Sequence, residues 1–346
     1  MKQSVLFEIK ALYRDNFRVT GFTFGSGEES ICIVGSMRGN ENQQLYACSQ
    51  LIRKLTELEA NGQILPGKQI LVIPCANPYS MNIKKRFWSI DNTDINRMFP
   101  GYDQGETTQR IAAGIFNAIQ NYRYGVQFAS FYMPGSFVPH VRMMKTGFEN
   151  VELARQFGLP YIVLHDPRPF DTTTLNYNWQ IWETNAFSIY TTNTQRIDRK
   201  SAMQADEAIL HFMEKQEIIH YCESAPSLQT AASCDSSSQS SSPDTPQNGQ
   251  GDLSSNKERK LFASRVIESR DFIPVRAEDA GFFESLVQPG DEVAEGQLLA
   301  RIYDPYTGAV RSTLHAPARS TVAFVHDEAM TYQSTAVLKL IRGEAQ

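Results

Sequence analysis

Short apolar runs that are hydrophobic on both faces, each followed by a helical stretch, constrain this chain more than any other feature. Ile31-Cys32-Ile33-Val34 carries no charged or amide side chain, and Gln69 to Pro74 (QILVIP) is a second such run after its first residue. Such strands have to be covered on both faces, as in a parallel sheet held between helices. Between the two runs, Leu45, Cys48, Leu51, Ile52, Leu55 and Leu58 recur at helical spacing and predict a helix from about residue 42 to 60. Thr107 to Ile119 predicts a second helix, with Ile111, Ile115 and Ile119 on one face. Val126 to Phe131, Tyr161 to Leu164 and Ala186 to Tyr190 are further strand candidates, and Asp206 to Glu217 reads as a late helix. The expected fold class is α/β, a mostly parallel sheet flanked by helices. In such sheets ligands bind beyond the carboxyl ends of the strands, so chemistry is sought just after each strand.

At 346 residues the chain is too long for one small core, and its composition shifts twice. Residues 1–221 carry the α/β pattern. Residues 222–258 are rich in Ser, Gln, Asp, Pro and Asn, with the runs Ser236-Ser237-Ser238 and Ser240-Ser241-Ser242. Such a stretch cannot bury a core and reads as a flexible linker. In 259–346, β-type runs separated by Gly, Pro and Asp predict a small all-β domain. A net charge of -5 argues against a nucleic-acid surface, which needs clustered Lys and Arg. No window approaches 18 consecutive apolar residues and the first ten, MKQSVLFEIK, lack a leader-like apolar core, so neither a membrane span nor a leader is expected. The five cysteines form no CxxC pair and point to a reducing, cytoplasmic setting.

The motif-bearing segments follow the first two strands. Gly35-Ser36-Met37-Arg38-Gly39-Asn40-Glu41 comes after the first. After the second come Asn77-Pro78, Lys85-Arg86, Asp91 and Asp94-Ile95-Asn96-Arg97-Met98-Phe99-Pro100-Gly101. Two guanidiniums and an amide on one loop form a planar donor array suited to a carboxylate or phosphate. The bland alternative is a structural loop with Arg97 in an ion pair to Asp91 or Asp94.

These segments resemble the succinylglutamate desuccinylase/aspartoacylase branch of the zinc carboxypeptidase fold, which shows His-Gly-x-Glu after the first strand and Asp-Leu-Asn-Arg-x-Phe-Pro-Gly after the second. The resemblance implies that Arg86, Asn96 and Arg97 bind a substrate carboxylate or polarise the scissile carbonyl. It also implies zinc ligands and a general-base Glu, and there the chain departs. Glu41 matches the ligand Glu, but Arg38 stands in place of the His; a guanidinium has no lone pair and cannot ligate a cation. Arg38 would instead pair with Glu41, replacing the metal's charge, or be a solvated turn residue. The strand due to deliver the second ligand His, residues 126–135, contains none, and Phe131 or a neighbour takes its place. His140, beside Pro139, could substitute as a ligand, or be an ordinary loop or core residue. The strand due to end in the base ends in Tyr190-Thr191, and Glu183 precedes it. Tyr190 is a poor base at an ordinary phenolic pKa of about 10. Catalytic candidates are thus limited to Arg86, Glu183 and Tyr190, substrate-binding ones are Arg38, Arg86, Asn96 and Arg97, and metal would take Glu41 and His140 only in a rearranged site. Trp179, Trp182, Phe187 and Tyr190 either line an apolar pocket beside the arginines or pack a core.

In the C-terminal region, Gly290-Asp291-Glu292-Val293 and Gly296-Gln297 resemble the lipoyl/biotinyl-like sandwich, without a Lys at the carrier turn. A structural or oligomerising cap is the modest reading, which leaves a homo-oligomer open. Two functions are weighed. One is a binding protein for an acylated amino acid or other small carboxylate, with no cofactor. The other is a metal-dependent hydrolase cleaving an amide bond of an N-acyl amino acid through a rearranged site, with zinc.

Overall fold

The structure is a computed structural model that describes residues 1–221 and 264–343. The Ser-rich segment expected to be a linker lies outside the described residues. Ten strands build the larger sheet and its surroundings: β1 (Lys2–Ile9), β2 (Phe17–Gly25), β3 (Gly27–Ser36), β4 (Gly67–Cys75), β5 (Tyr124–Ala129), β6 (Gly135–Phe137), β7 (His140–Met144), β8 (Tyr161–His165), β9 (Asn185–Tyr190) and β10 (Arg265–Glu268). Eight follow toward the C-terminus: β11 (Phe272–Arg276), β12 (Gly281–Ser285), β13 (Glu292–Val293), β14 (Leu298–Tyr303), β15 (Val310–His315), β16 (Ser320–His326), β17 (Met330–Thr331) and β18 (Ala336–Arg342). The helices are α1 (Asn42–Ala60), α2 (Pro78–Asn82), α3 (Thr107–Ile119), α4 (Val151–Arg155), α5 (Leu175–Ile181) and α6 (Arg199–Lys215).

Nine strands form one mixed sheet in the order β1-β2-β4-β3-β5-β9-β7-β8-β10. Its centre is parallel, as the doubly apolar runs required: β3 pairs with β4 and β5, and β5 with β9. Alternation along β3 supplies both faces. Ile31 and Ile33 enter a core with Leu51 and Leu55 of α1 and Ile209 of α6, while Cys32 and Val34 face Ile111 and Ile115 of α3 and Trp179 of α5. Each such aliphatic side chain contributes roughly 1.5–3 kcal/mol when fully buried. The outer strands depart from a parallel pattern. β1 and β2 form an antiparallel hairpin on one edge, and β7 runs antiparallel to β9.

Helix ends follow capping chemistry. The Gln109 side chain accepts from the Glu106 backbone N–H at 2.9 Å where α3 begins. The Asp198 carboxylate accepts from the Ser201 N–H at 3.0 Å, which starts α6 at Arg199, ahead of the apolar repeat that predicts a helix only from Asp206.

The C-terminal strands make two antiparallel sheets, β11-β18-β16-β13 and β15-β14-β12-β17, around Val293, Leu299, Ile302, Leu314, Val322, Leu338 and Leu340. Gly290 (φ 99°) and Gly296 (φ 76°) take left-handed turns that a side chain would strain. The two regions interlock within one compact unit. β10 adds to the large sheet beside β8, and β6, from the segment after β5, adds to the C-terminal sheet through Phe137↔Phe324. The C-terminal sheet therefore stands as a wall beside the carboxyl ends of the central strands. Among the described residues no helix is long and apolar enough to cross a membrane.

Candidate anion site at the carboxyl ends of the central strands

A cavity of about 280 Å³ opens where β5, β8 and β9 end. It brings together Arg38, Arg86, Asn96, Arg97 and Tyr190 of the residues named from sequence. Glu183 is not among its lining: it precedes β9, and the strand's six residues put it about 20 Å from the cavity end. Trp179 and Phe187 are core residues and Trp182 is half exposed, so of that aromatic group only Tyr190 reaches the cavity.

Arg38 is the best-tied side chain in the site. It is 7% exposed, and its Nη1 donates to Glu41 Oε1 at 3.0 Å. Its Nη2 and Nε donate to Asp94 Oδ2 at 2.9 and 3.1 Å. Burial works against its charge, but Glu41 and Asp94 outweigh burial and raise its pKa further. Glu41 is 1% exposed and fully subscribed. Oε2 accepts from the backbone N–H of Met37 (2.7 Å) and Arg38 (3.0 Å), and Oε1 from Arg38 and from the Ser130 hydroxyl. A carboxylate offers about four acceptor directions, and all are taken.

Arg86 differs. No ion pair to it exists among the described residues, and burial first, then the charge of Arg38, lowers its pKa. A half-buried guanidinium without a counter-ion is a ready partner for an anion. Asn96 Oδ1 accepts from Gln127 Nε2 at 3.2 Å and from the Leu175 N–H at 3.3 Å, which fixes the amide at the cavity edge. Arg97 is already paired, but with Asp171 at 3.1 Å and the Phe170 carbonyl rather than with Asp91 or Asp94.

His140 lies on β7, not in a loop. Its Nδ1 meets the Val138 carbonyl at 2.9 Å, its ring stacks on Tyr190 at 4.8 Å, and burial pushes it down to about 4, so it is neutral near pH 7. It does not line the cavity. Phe131, where the second ligand His was due, stacks on Phe137 and lines the cavity. Among the described residues no group of three or more His, Cys, Asp or Glu is placed to hold a metal ion.

Sequence reading missed half of the site. Arg142, His165, Arg168 and Lys339 also line the cavity, and Arg142 Nε lies 3.1 Å from His165 Nδ1, whose pKa burial pushes down to about 4. Asn176 lines it too: it is 2% exposed, and neither amide atom has a hydrogen-bond partner. Nothing in the sequence separates it from Asn178, whose amide caps Thr172 and Thr174 carbonyls.

The model of the succinylglutamate desuccinylase/aspartoacylase catalytic domain matches residues 28–215. Among solved structures, succinylglutamate desuccinylase/aspartoacylase from Rhodobacter sphaeroides is 18% identical, with a TM-score of 0.68 over 95% of this chain and 90% of that one. An aspartoacylase family protein from Mesorhizobium loti is 18% identical at a TM-score of 0.68, covering 97% and 93%. The product-bound ectoine utilization protein EutE from Ruegeria pomeroyi is 16% identical at a TM-score of 0.68, covering 95% and 90%. At these identities the structures establish a shared fold. No curated protein sequence matches the chain. The family match takes in more than half of the sequence, including the Gly39–Glu41 turn and the Asn96-Arg97 loop, and the chain belongs to the succinylglutamate desuccinylase/aspartoacylase family.

Proposed function

We propose that the cavity binds an acylated amino acid or a similar small carboxylate, and that the zinc hydrolysis associated with the family is lost. The observation that carries this reading is Arg38, whose guanidinium lies between Glu41 and Asp94 and uses up the Glu41 carboxylate. Zinc does not fit these residues. It takes three or four protein ligands. Glu41 would have to give up four donors, and His140 its carbonyl bond and its stacking on Tyr190. Among the described residues the lining carboxylates are Asp171, which holds Arg97, and Asp166, a solvent-exposed side chain beside Lys145. This arrangement favours binding over the rearranged hydrolase.

Arg86, Asn96 and Asn176 then supply recognition. An unpaired guanidinium suits a carboxylate, and an amide with both atoms free suits a group that donates and accepts, such as the ligand's own amide. Isothermal titration with N-succinylglutamate and with succinate tests the reading. Wild type is expected to bind without releasing glutamate or succinate, in the presence or absence of added zinc. Arg86→Ala is expected to weaken binding by at least about tenfold, as loss of a charge-assisted hydrogen bond worth about 1.5–3 kcal/mol implies. Equal affinity in the variant, or zinc-dependent product release by wild type, contradicts it.

A further inference from the structure

One lysine in the cavity breaks the pattern of the strand that carries it. In β18 (AVLKLIR), Leu338 and Leu340 turn into the C-terminal core. Alternation puts Lys339 on the face of Ile341, which packs with Val138, Val163, Ile267 and Ala323 between the two regions. Lys339 is half-buried there and its chain leads into the cavity. Among the described residues no carboxylate pairs with it. Its charged neighbours are Arg142, Arg168 and Arg276, and burial first, then their repulsion, lowers its pKa. A lysine that is desolvated and set among cations is the arrangement in which an amine becomes available as a nucleophile near neutral pH. Without such a role, an alkylammonium at this interface only costs desolvation.

We propose that Lys339 is an amine nucleophile of this cavity, condensing with the aldehyde or ketone carbon of a small carbonyl compound whose carboxylate is held by Arg142 and Arg168. The inference rests on the anion-pocket reading, because the arginines have to capture the carboxylate before the amine can react. In the step, the Nζ lone pair forms the carbon–nitrogen bond while the carbonyl π pair moves to oxygen. Both hydrogens of the neutral amine leave with that oxygen as water, and the product is a neutral imine with no change in oxidation state. Protonation of the imine nitrogen makes it cationic again, and the bound carboxylate offsets that charge. Binding also sets the carbonyl beside the amine, which raises the rate over collision from solution.

The test uses the full-length chain with glyoxylate, pyruvate and the neutral propionaldehyde as probes, sodium borohydride to reduce any imine, and peptide mass mapping. Glyoxylate is expected to label Lys339 roughly tenfold faster than the average of the other lysines. Labelling is expected to saturate with glyoxylate, to fall when succinate competes, and to vanish from this position in Lys339→Arg while other lysines label as before. Propionaldehyde, which the arginines cannot capture, is expected to show a clearly smaller preference for Lys339 than glyoxylate does. Uniform labelling, or equal preference with propionaldehyde, overturns the inference. Thermal shift on the same sample separates the two readings. If succinate still raises Tm while Lys339 stays unlabelled, the imine inference alone fails; if succinate leaves Tm unchanged as well, the anion-pocket reading fails with it.

Discussion

Arg38→Met is expected to destabilise the fold by about 3–5 kcal/mol near neutral pH, the usual cost of removing one partner of a buried ion pair. The effect is large because the guanidinium serves two carboxylates, both largely withdrawn from water: Glu41 is 1% exposed and the Asp94 side chain 14%. Removing it strands two negative charges beside each other, and nothing else in the site replaces that cation. Arg86 is the next guanidinium, but it makes no ion pair to either carboxylate. Arg38→Lys is expected to recover only part of the loss, since one ammonium cannot reach Glu41 and Asp94 through the planar fork that Nη1, Nη2 and Nε provide. Urea unfolding with unchanged m-values reads the difference. A loss below about 1 kcal/mol for Arg38→Met, the range of an exposed pair, shows that Arg38 is a surface charge and not the substitute cation of this site.

A second large effect lies far from the cavity, in the helical layer formed by α1 and α6. Asp206 is fully buried, and neither carboxyl oxygen has a hydrogen-bond partner. Burial raises its pKa from 3.8 to about 8, against a smaller opposing pull from Lys54. The sign follows from linkage. Between these pH values the folded chain holds a proton that the unfolded chain has released, so this group's contribution is full below about pH 4 and is lost as pH rises toward 8. At about 1.4 kcal/mol per pH unit, the loss over this range is on the order of a few kcal/mol. Asp206→Asn keeps the shape and removes the titration. The expected result is a wild-type stability that falls relative to the variant from pH 5 to about 8, read by urea unfolding across that range. Parallel pH profiles for the two proteins contradict it.

Periodicity carried the parts of the fold with a plain repeat. The expected helices at 42–60 and 107–119 coincide with α1 and α3, because leucines and isoleucines at helical spacing face one sheet throughout. The β1–β2 hairpin was illegible for a physical reason. Val5, Leu6, Phe7 and Ile9 do not alternate, and a register shift between Val5 and Phe7 lets neighbours turn the same way. His140, open from the sequence as a substitute ligand or an ordinary loop or core residue, is buried and opens β7, which pairs with β8 and β9.

The site divides along the same line. Arg38, Glu41, Arg86, Asn96 and Arg97 were legible because they sit in two motif-bearing loops. Arg142, His165, Arg168 and Lys339 come from separate strands and loops that meet only when β7, β8 and the C-terminal sheet assemble. Lys339 left one trace in the sequence, a charge between two leucines, and Asn176 left none.

The most direct test of the account is the zinc content of the purified chain after saturation with zinc and dialysis against buffer without chelator. The residues around Arg38 predict far less than one zinc per chain, with no difference between wild type and Glu41→Gln. About one tightly held zinc per chain, lost on Glu41→Gln or His140→Ala, would mean that Arg38 moves aside for a metal and that the site is a hydrolase centre after all.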